Sequence, residues 1–286
     1  VLKYKMIAID LDGTLLSPSS QVTARTKAAI HKALESRLLI CFATGRNFTE
    51  SRTVLDAIEH YDSAVFVGGA MVIDTRQRVT LHRTAMEPDL AREVCRFFES
   101  HGQPALALQD TQNVGVDYLI SAEIPPHSNT DQWLKMTGAS ARRTAKLAEH
   151  PHDHTVRVSI VGETEAAQRV HLDLEKKFGP RVMSHCFIGG TVSVVEVFDP
   201  SVSKWQGILK VASRHNIAPE EIIAIGDGIN DVAMVKSAGL GVAMGNSHPD
   251  LLKHARKVIG SNKDDGLAVF LEELIATQAV APADPN

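Results

Sequence analysis

Three short apolar runs in this 286-residue chain stop abruptly at polar residues, and they constrain its fold more than any other feature. Lys5-Met6-Ile7-Ala8-Ile9 stops at Asp10, residues 38–43 stop at Thr44-Gly45-Arg46, and residues 221–225 stop at Gly226-Asp227. Each run is short and lacks strict alternation, as a strand covered on both faces does. Between the first two, Thr23 is placed to cap a helix that buries Ile30, Ala33 and Leu34 and ends near Ser36. A second helix, about residues 48–59, leads to another apolar run at 64–67. Strand–helix–strand alternation predicts an α/β fold with an open, Rossmann-like parallel sheet and right-handed crossovers.

From residue 83 to 190 the pattern changes, with strands next to one another as well as next to helices. Residues 105–108 and 114–120 read as a hairpin pair, and strands at 155–161 and 181–188 flank a helix over 164–178. Pro-containing stretches at 124–127 and 149–152 read as exposed turns. After residue 190 the α/β pattern returns, with a strand at 192–197, a helix at 203–215, a strand at 240–243 and a closing helix over 265–275. Residues 1–82 and 191–286 are therefore expected to form one discontinuous sheet domain, interrupted by an α+β module at 83–190. The Ala/Pro-rich tail, 279–286, is expected to lack order.

Composition excludes several function classes. Thirty Lys and Arg against 34 Asp and Glu give a net charge of −4 with no basic block, which argues against nucleic acid as the main partner. No apolar run approaches the ~18 residues of a membrane span. The first residues lead into a strand without a signal-peptide cleavage pattern. Cys41, Cys95 and Cys186 are odd in number, scattered and without metal spacing, as core thiols of a reducing compartment would be. A cytoplasmic protein is expected. His150, His152 and His154 alternate beside Pro151, where solvent exposure is a simpler reading than a zinc site, because no further ligand is spaced to complete one.

In an open α/β sheet, ligands bind beyond the carboxyl ends of the strands. The polar residues of this chain cluster there: Asp10-Leu11-Asp12-Gly13-Thr14, Thr44-Gly45-Arg46 and Gly226-Asp227-Gly228-Ile229-Asn230-Asp231, with Lys204 at a helix start. Asp10, Asp12, Asp227 and Asp231 in one crevice would repel one another unless a cation joined them. Mg²⁺, a hard ion that takes carboxylates, waters and substrate phosphates, suits such a set. Phosphoryl transfer needs a positioned nucleophile, a metal and positive charge around the equatorial oxygens. A carboxylate can be that nucleophile, with Lys204, Thr44 and the Gly45 amide donating to the phosphate.

These segments, in this order and with an insert between the second and third, resemble the four motifs of the haloacid dehalogenase superfamily. The match is to its Cof-type members (subclass IIB), whose inserted cap is of the C2B type. Gly241-Val242-Ala243-Met244-Gly245-Asn246 and Asn262-Lys263-Asp264-Asp265-Gly266 are similar to that subfamily as well. The resemblance spans nearly the whole chain. It implies a Mg²⁺-dependent phosphatase acting on a small phosphorylated metabolite, such as a sugar phosphate, with the insert as the specificity cap.

By the same resemblance, Asp10 is the nucleophile, and Asp10, the Asp12 carbonyl and Asp227 hold the metal, with Asp231 behind them. Asp12 is the general acid and then the base, a role that burial and neighbouring negative charge would favour. Leu11, Thr44, Gly45, Arg46, Lys204 and Asn230 line the phosphate site, although Arg46 could equally pair with an acidic neighbour. Two positions depart from the pattern: Gly68-Gly69-Ala70 replaces the usual Asn-Gly-Ala, and Trp205 follows the motif lysine where relatives tend to have glycine. A phosphomutase of the same superfamily is the main rival, and a non-catalytic phosphometabolite sensor a more distant one.

Overall fold

A computed structural model describes residues 3–279. The chain divides into two compact units. One comprises the residues up to Asn47, Ser51–Gln77 and the chain from Ser203; the other comprises Phe48–Glu50 and Arg78–Val202.

The first unit begins with β1 (Met6–Ile9), α1 (Ala24–Glu35), β2 (Leu39–Phe42), α2 (Phe48–Ile58), β3 (Ser63–Phe66) and β4 (Met71–Asp74). In α1, the Thr23 hydroxyl accepts the Thr26 N–H at 3.1 Å, satisfying one of the orphan donors of the first turn. All four side chains of β1 are fully buried, as a central parallel strand requires.

In the second unit follow β5 (Val79–Arg83), α3 (Pro88–Ser100), β6 (Leu106–Gln109), α4 (Thr111–Val114), β7 (Tyr118–Ser121) and α5 (Ser128–Thr137). Then come β8 (Ala141–Thr144), β9 (Thr155–Glu163), α6 (Thr164–Phe178), β10 (Met183–Gly189) and β11 (Val192–Phe198). The chain returns to the first unit with α7 (Lys204–Arg214), β12 (Ile222–Gly226), α8 (Val232–Ser237), β13 (Leu240–Ala243), α9 (Pro249–Leu252), β14 (Lys257–Val258) and α10 (Gly266–Ala279).

The first unit's main sheet is entirely parallel, in the order β14-β13-β12-β1-β2. α1 packs on α10 and on β2, while α7 packs on β3 and α8. The expected α/β parallel-sheet architecture is present. β3 differs from expectation, because its ladder is antiparallel with β4, and an isolated parallel bridge, Ala43–Val65, links it to the residue that follows β2. Val67, at φ +54°, turns the chain out of the strand one residue sooner than the apolar run suggests.

The second unit holds a six-stranded sheet, β10-β11-β9-β6-β7-β8, antiparallel except between β7 and β8. Its core gathers Val94, Phe97 and Phe98 of α3, Val158 and Ile160 of β9, and Leu174 and Phe178 of α6. Three readings need correction. Residues 192–197, expected in the α/β sheet, form β11, antiparallel between β9 and β10. Residues 114–117 do not extend the hairpin: Thr111–Val114 is a helical turn ended by Gly115 at φ +77°. The buried Asp117 carboxylate there accepts from Thr111 Oγ1 and from Ser140 N and Oγ, each at 2.8 Å, so the strand starts at Tyr118. His152 is not an exposed turn residue. It is fully buried, 2.9 Å from both Thr155 Oγ1 and the Leu147 carbonyl, and burial lowers its pKa to about 4.

Cys41 and Cys95 are buried, Cys186 is half-buried, and all three are free thiols. No helix among the described residues is long and apolar enough to cross a membrane. The expectation for the tail concerns residues 280–286, outside those described, and Ala279, which ends α10.

Candidate active site

The carboxyl ends of β1 and β12 lie side by side, because the two strands pair in parallel register up to Ile9–Ile225. Asp10 and Asp227 therefore leave the sheet as neighbours. Beyond Asp10 the chain makes one wide turn over residues 11–15, closed by Leu15 N–H to the Asp10 carbonyl and Leu16 N–H to the Leu11 carbonyl. Gly13 sits in it at φ +81°, and a Cβ there would fall 2.1 Å from Asp227 Oδ2. Only glycine fits the turn that brings these two aspartates together. Thr14 secures it from the other direction, its hydroxyl donating to Asp227 Oδ1 at 2.8 Å.

Lys204 enters from the first position of α7, with Ser203 capping the helix. Its ammonium is buried and lies at a helix N-terminus, two circumstances that disfavour a cation. Two carboxylates overcome both. Nζ donates to Asp10 Oδ1 at 2.5 Å and to Asp231 Oδ1 at 2.6 Å. Burial alone would lower its pKa, but Asp10 and Asp231 outweigh it and hold the ammonium above its ordinary value. Asp231 uses its second oxygen to accept the N–H groups of Asp227 (3.0 Å) and Gly228 (2.9 Å), which ties the loop after β12 to the same cluster.

Carboxylate oxygens of Asp10, Asp227 and Asp231 lie within 4.8 Å of one another. If all three ionise, three negative charges face the one ammonium of Lys204, a surplus of two. Burial and then Asp231 drive the Asp10 pKa well above its ordinary value, despite Lys204. Burial pushes Asp227 up to about 6, against the opposing effect of the Thr14 hydrogen bond. An all-oxygen set with two uncompensated charges fits a hard divalent cation.

Asp12 lies apart from this cluster. Its side chain is 54% exposed, and Arg46 forks it, with Nε donating to Oδ2 at 2.8 Å and Nη2 to Oδ1. The burial expected for an acid at this position is therefore missing, and a guanidinium partner takes the place of negative surroundings. The acidic pairing read for Arg46 is present.

Thr44 is fully buried beyond β2. Its backbone N–H donates to the Val65 carbonyl, and its hydroxyl accepts the Arg46 N–H at 3.1 Å. Gly45 and Asn230 come together from separate loops: a side chain at Gly45 would approach Asn230 Nδ2 to 3.8 Å. Leu11 is fully buried. Gly68 resolves one departure from the family pattern, because at φ +64° it occupies the left-handed region that both Gly and Asn favour. Trp205 packs into the body of the unit with 9% exposure.

Residues 7–271 match the model of the haloacid dehalogenase-like hydrolases. The chain belongs to that family. Among haloacid dehalogenase-like relatives, the 5-amino-6-(5-phospho-D-ribitylamino)uracil phosphatase YwtE of Bacillus subtilis is 27% identical over 291 residues, covering 96% of this chain and 99% of that protein. The HMP-PP phosphatase of Serratia proteamaculans is 26% identical, covering 94% of each. The fold is shared with a haloacid dehalogenase-like hydrolase from Bacteroides thetaiotaomicron at a TM-score of 0.79, with 21% identity over 95% of this chain and all of that one.

Sequence reasoning left three residues out of the site. Thr14 binds Asp227, while Asn246 and Asn262 reach the wide turn from elsewhere in the chain. All three stand in segments that match the family, but nothing in the sequence shows which side chain they meet.

Proposed function

We propose that this enzyme hydrolyses phosphate monoesters of small metabolites through an aspartyl-phosphate on Asp10, with Mg²⁺ as cofactor. The observation that carries this reading is Lys204 bridging Asp10 and Asp231 beside Asp227, which combines a fixed carboxylate, a cation and an acidic metal-type cluster in one place. The chain is a phosphatase of its family, and relatives aligned over nearly their full length carry names of phosphatases that act on small phosphorylated compounds.

In the first step, an Asp10 carboxylate oxygen attacks phosphorus and the bond to the leaving oxygen breaks. Lys204 holds Oδ1, which leaves the other oxygen to bond phosphorus. Asp12 donates a proton to the leaving alcohol. It then takes one from the water that attacks phosphorus in the second step, returning Asp10 and releasing inorganic phosphate. The Arg46 fork aims Asp12. Thr44, the Gly45 amide, Lys204 and Asn230 donate to the phosphoryl oxygens. Asp10, Asp227 and the Asp12 carbonyl would hold Mg²⁺, with Asp231 fixing Lys204 and the Asp227 loop behind them. Bound there, the ion neutralises the surplus carboxylate charge and polarises the phosphoryl group.

Residues 83–190 are proposed to contain the specificity determinants. A mutase would need arginines gathered for a second phosphate, but four of those in the insert are engaged separately. Arg157 pairs with Glu196, Arg92 with Asp89, Arg169 with Glu165, and Arg143 donates to the Ile124 carbonyl.

A panel of phosphorylated metabolites, assayed for phosphate release with Mg²⁺ and with EDTA, tests the proposal. Mg²⁺-dependent release from at least one compound is expected. Isomerisation without free phosphate would replace the phosphatase reading with the mutase one.

A further inference from the structure

Two asparagines far apart in sequence reach the same turn. The Asn246 amide nitrogen donates to the Gly13 carbonyl at 2.8 Å and lies 3.5 Å from Asp227 Oδ2. Its amide oxygen accepts the Asn262 N–H at 2.9 Å, and Asn262 Nδ2 donates to the Leu16 carbonyl at 2.7 Å. These partners fix how the Asn246 amide is oriented. Turned over, it would set oxygen against a carbonyl and a carboxylate, and nitrogen against an N–H. The amide thus spans the two chain segments that the acidic cluster depends on: the turn after Asp10 and the loop carrying Asp227.

We infer that Asn246 is a positioning residue, which holds the Gly13 peptide and the Asp227 carboxylate in register and so sets how tightly the cluster takes its divalent cation. The inference rests on the phosphatase reading above and adds a determinant to it. Gly13 immediately follows Asp12, so fixing its carbonyl also limits where the Asp12 backbone can go. Thr14 holds Oδ1 of Asp227 and Asn246 approaches Oδ2, so each oxygen of that carboxylate has its own donor. Asn246 is itself exposed, so truncating it opens no cavity. Asn262 acts one step further back, orienting Asn246 through its backbone N–H.

The test is Mg²⁺ binding by titration calorimetry on the wild-type chain, Asn246→Ala and Asn262→Ala, with melting temperatures measured in EDTA and steady-state kinetics at saturating Mg²⁺. Asn246→Ala is expected to raise the Mg²⁺ Kd by about tenfold, the usual cost of losing an outer partner of a metal ligand. Its melting temperature in EDTA should stay near the wild-type value, and the loss at saturating Mg²⁺ should fall on kcat more than on KM. Asn262→Ala is expected to shift the Kd in the same direction by less. A Mg²⁺ Kd within twofold of wild type in Asn246→Ala would overturn the inference, whatever happens to the melting temperature. A wild-type chain that binds no Mg²⁺ would instead overturn the reading of the acidic cluster, and this inference with it.

Discussion

The Asp12–Arg46 pair is where the chemistry of single residues is most exposed to test. In the proposed reaction Asp12 gives a proton and later takes one, and the guanidinium fork would fix its position for both. Arg46→Ala is expected to lower kcat by roughly 10- to 100-fold with a smaller change in KM. Arg46→Lys should recover only part of the loss, since an ammonium cannot fork a carboxylate. Steady-state kinetics on both variants decide this, and a change under twofold in Arg46→Ala would remove the pair from the reaction. The sequence made both partners visible as motif residues, but their pairing depends on side-chain directions that motif spacing does not encode. His152 is a similar case. Its loop neighbours suggested exposure, while the carbonyl and hydroxyl that satisfy its ring lie at Leu147 and Thr155.

Among the elements, α7 matters most, because its first residue is Lys204. The helix starts against the turn that follows β3, where Gly69 has φ +109° and a Cβ would fall 1.9 Å from the Ser203 carbonyl oxygen. Gly69→Ala is therefore strained in its backbone and also blocked by backbone it cannot displace cheaply. We expect a loss of about 2 kcal/mol or more in denaturant unfolding, together with reduced activity in the folded fraction because Lys204 shifts with its helix. An unchanged midpoint would contradict the packing described for the α7 start. Strands β1, β2, β12 and β13 were legible because runs such as Met6–Ile9 are apolar on both faces, whereas the short α8, α9 and β14 were not. β8 was not, since Ala141-Arg142-Arg143-Thr144 is an exposed edge with no apolar face. β11 was recognised as a strand but assigned to the wrong sheet. An apolar run flanked on both sides reads the same in the middle of an antiparallel sheet as in a parallel one.

For the molecule as a whole, the surplus negative charge makes stability depend on pH and metal together. The Asp227 pKa, raised to about 6, and the raised Asp10 pKa mean that the metal-free folded chain binds protons more tightly than the unfolded chain does. Their stabilising contribution is full below the ordinary carboxylate range and is lost as pH rises, that of Asp227 through about 6. Asp227 is partly solvated, so its share is on the order of 1–2 kcal/mol. Mg²⁺ bound at the proposed site would replace those protons. It should therefore raise the melting temperature by several degrees at pH 7.5 and by much less at pH 5, measured by thermal unfolding against EDTA. An equal shift at both pH values would show that the cation binds elsewhere.

The central claim is that Asp10 carries the phosphoryl group between substrate and water, and trapping that bond tests it most directly. Turnover of a radiolabelled phosphate ester is stopped with acid, and the protein is digested and its peptides mapped. The account predicts hydroxylamine-sensitive label on the peptide containing Asp10, absent in a folded Asp10→Asn variant that has lost turnover by about 10³-fold or more. Label on another residue, or full turnover in Asp10→Asn, would contradict it.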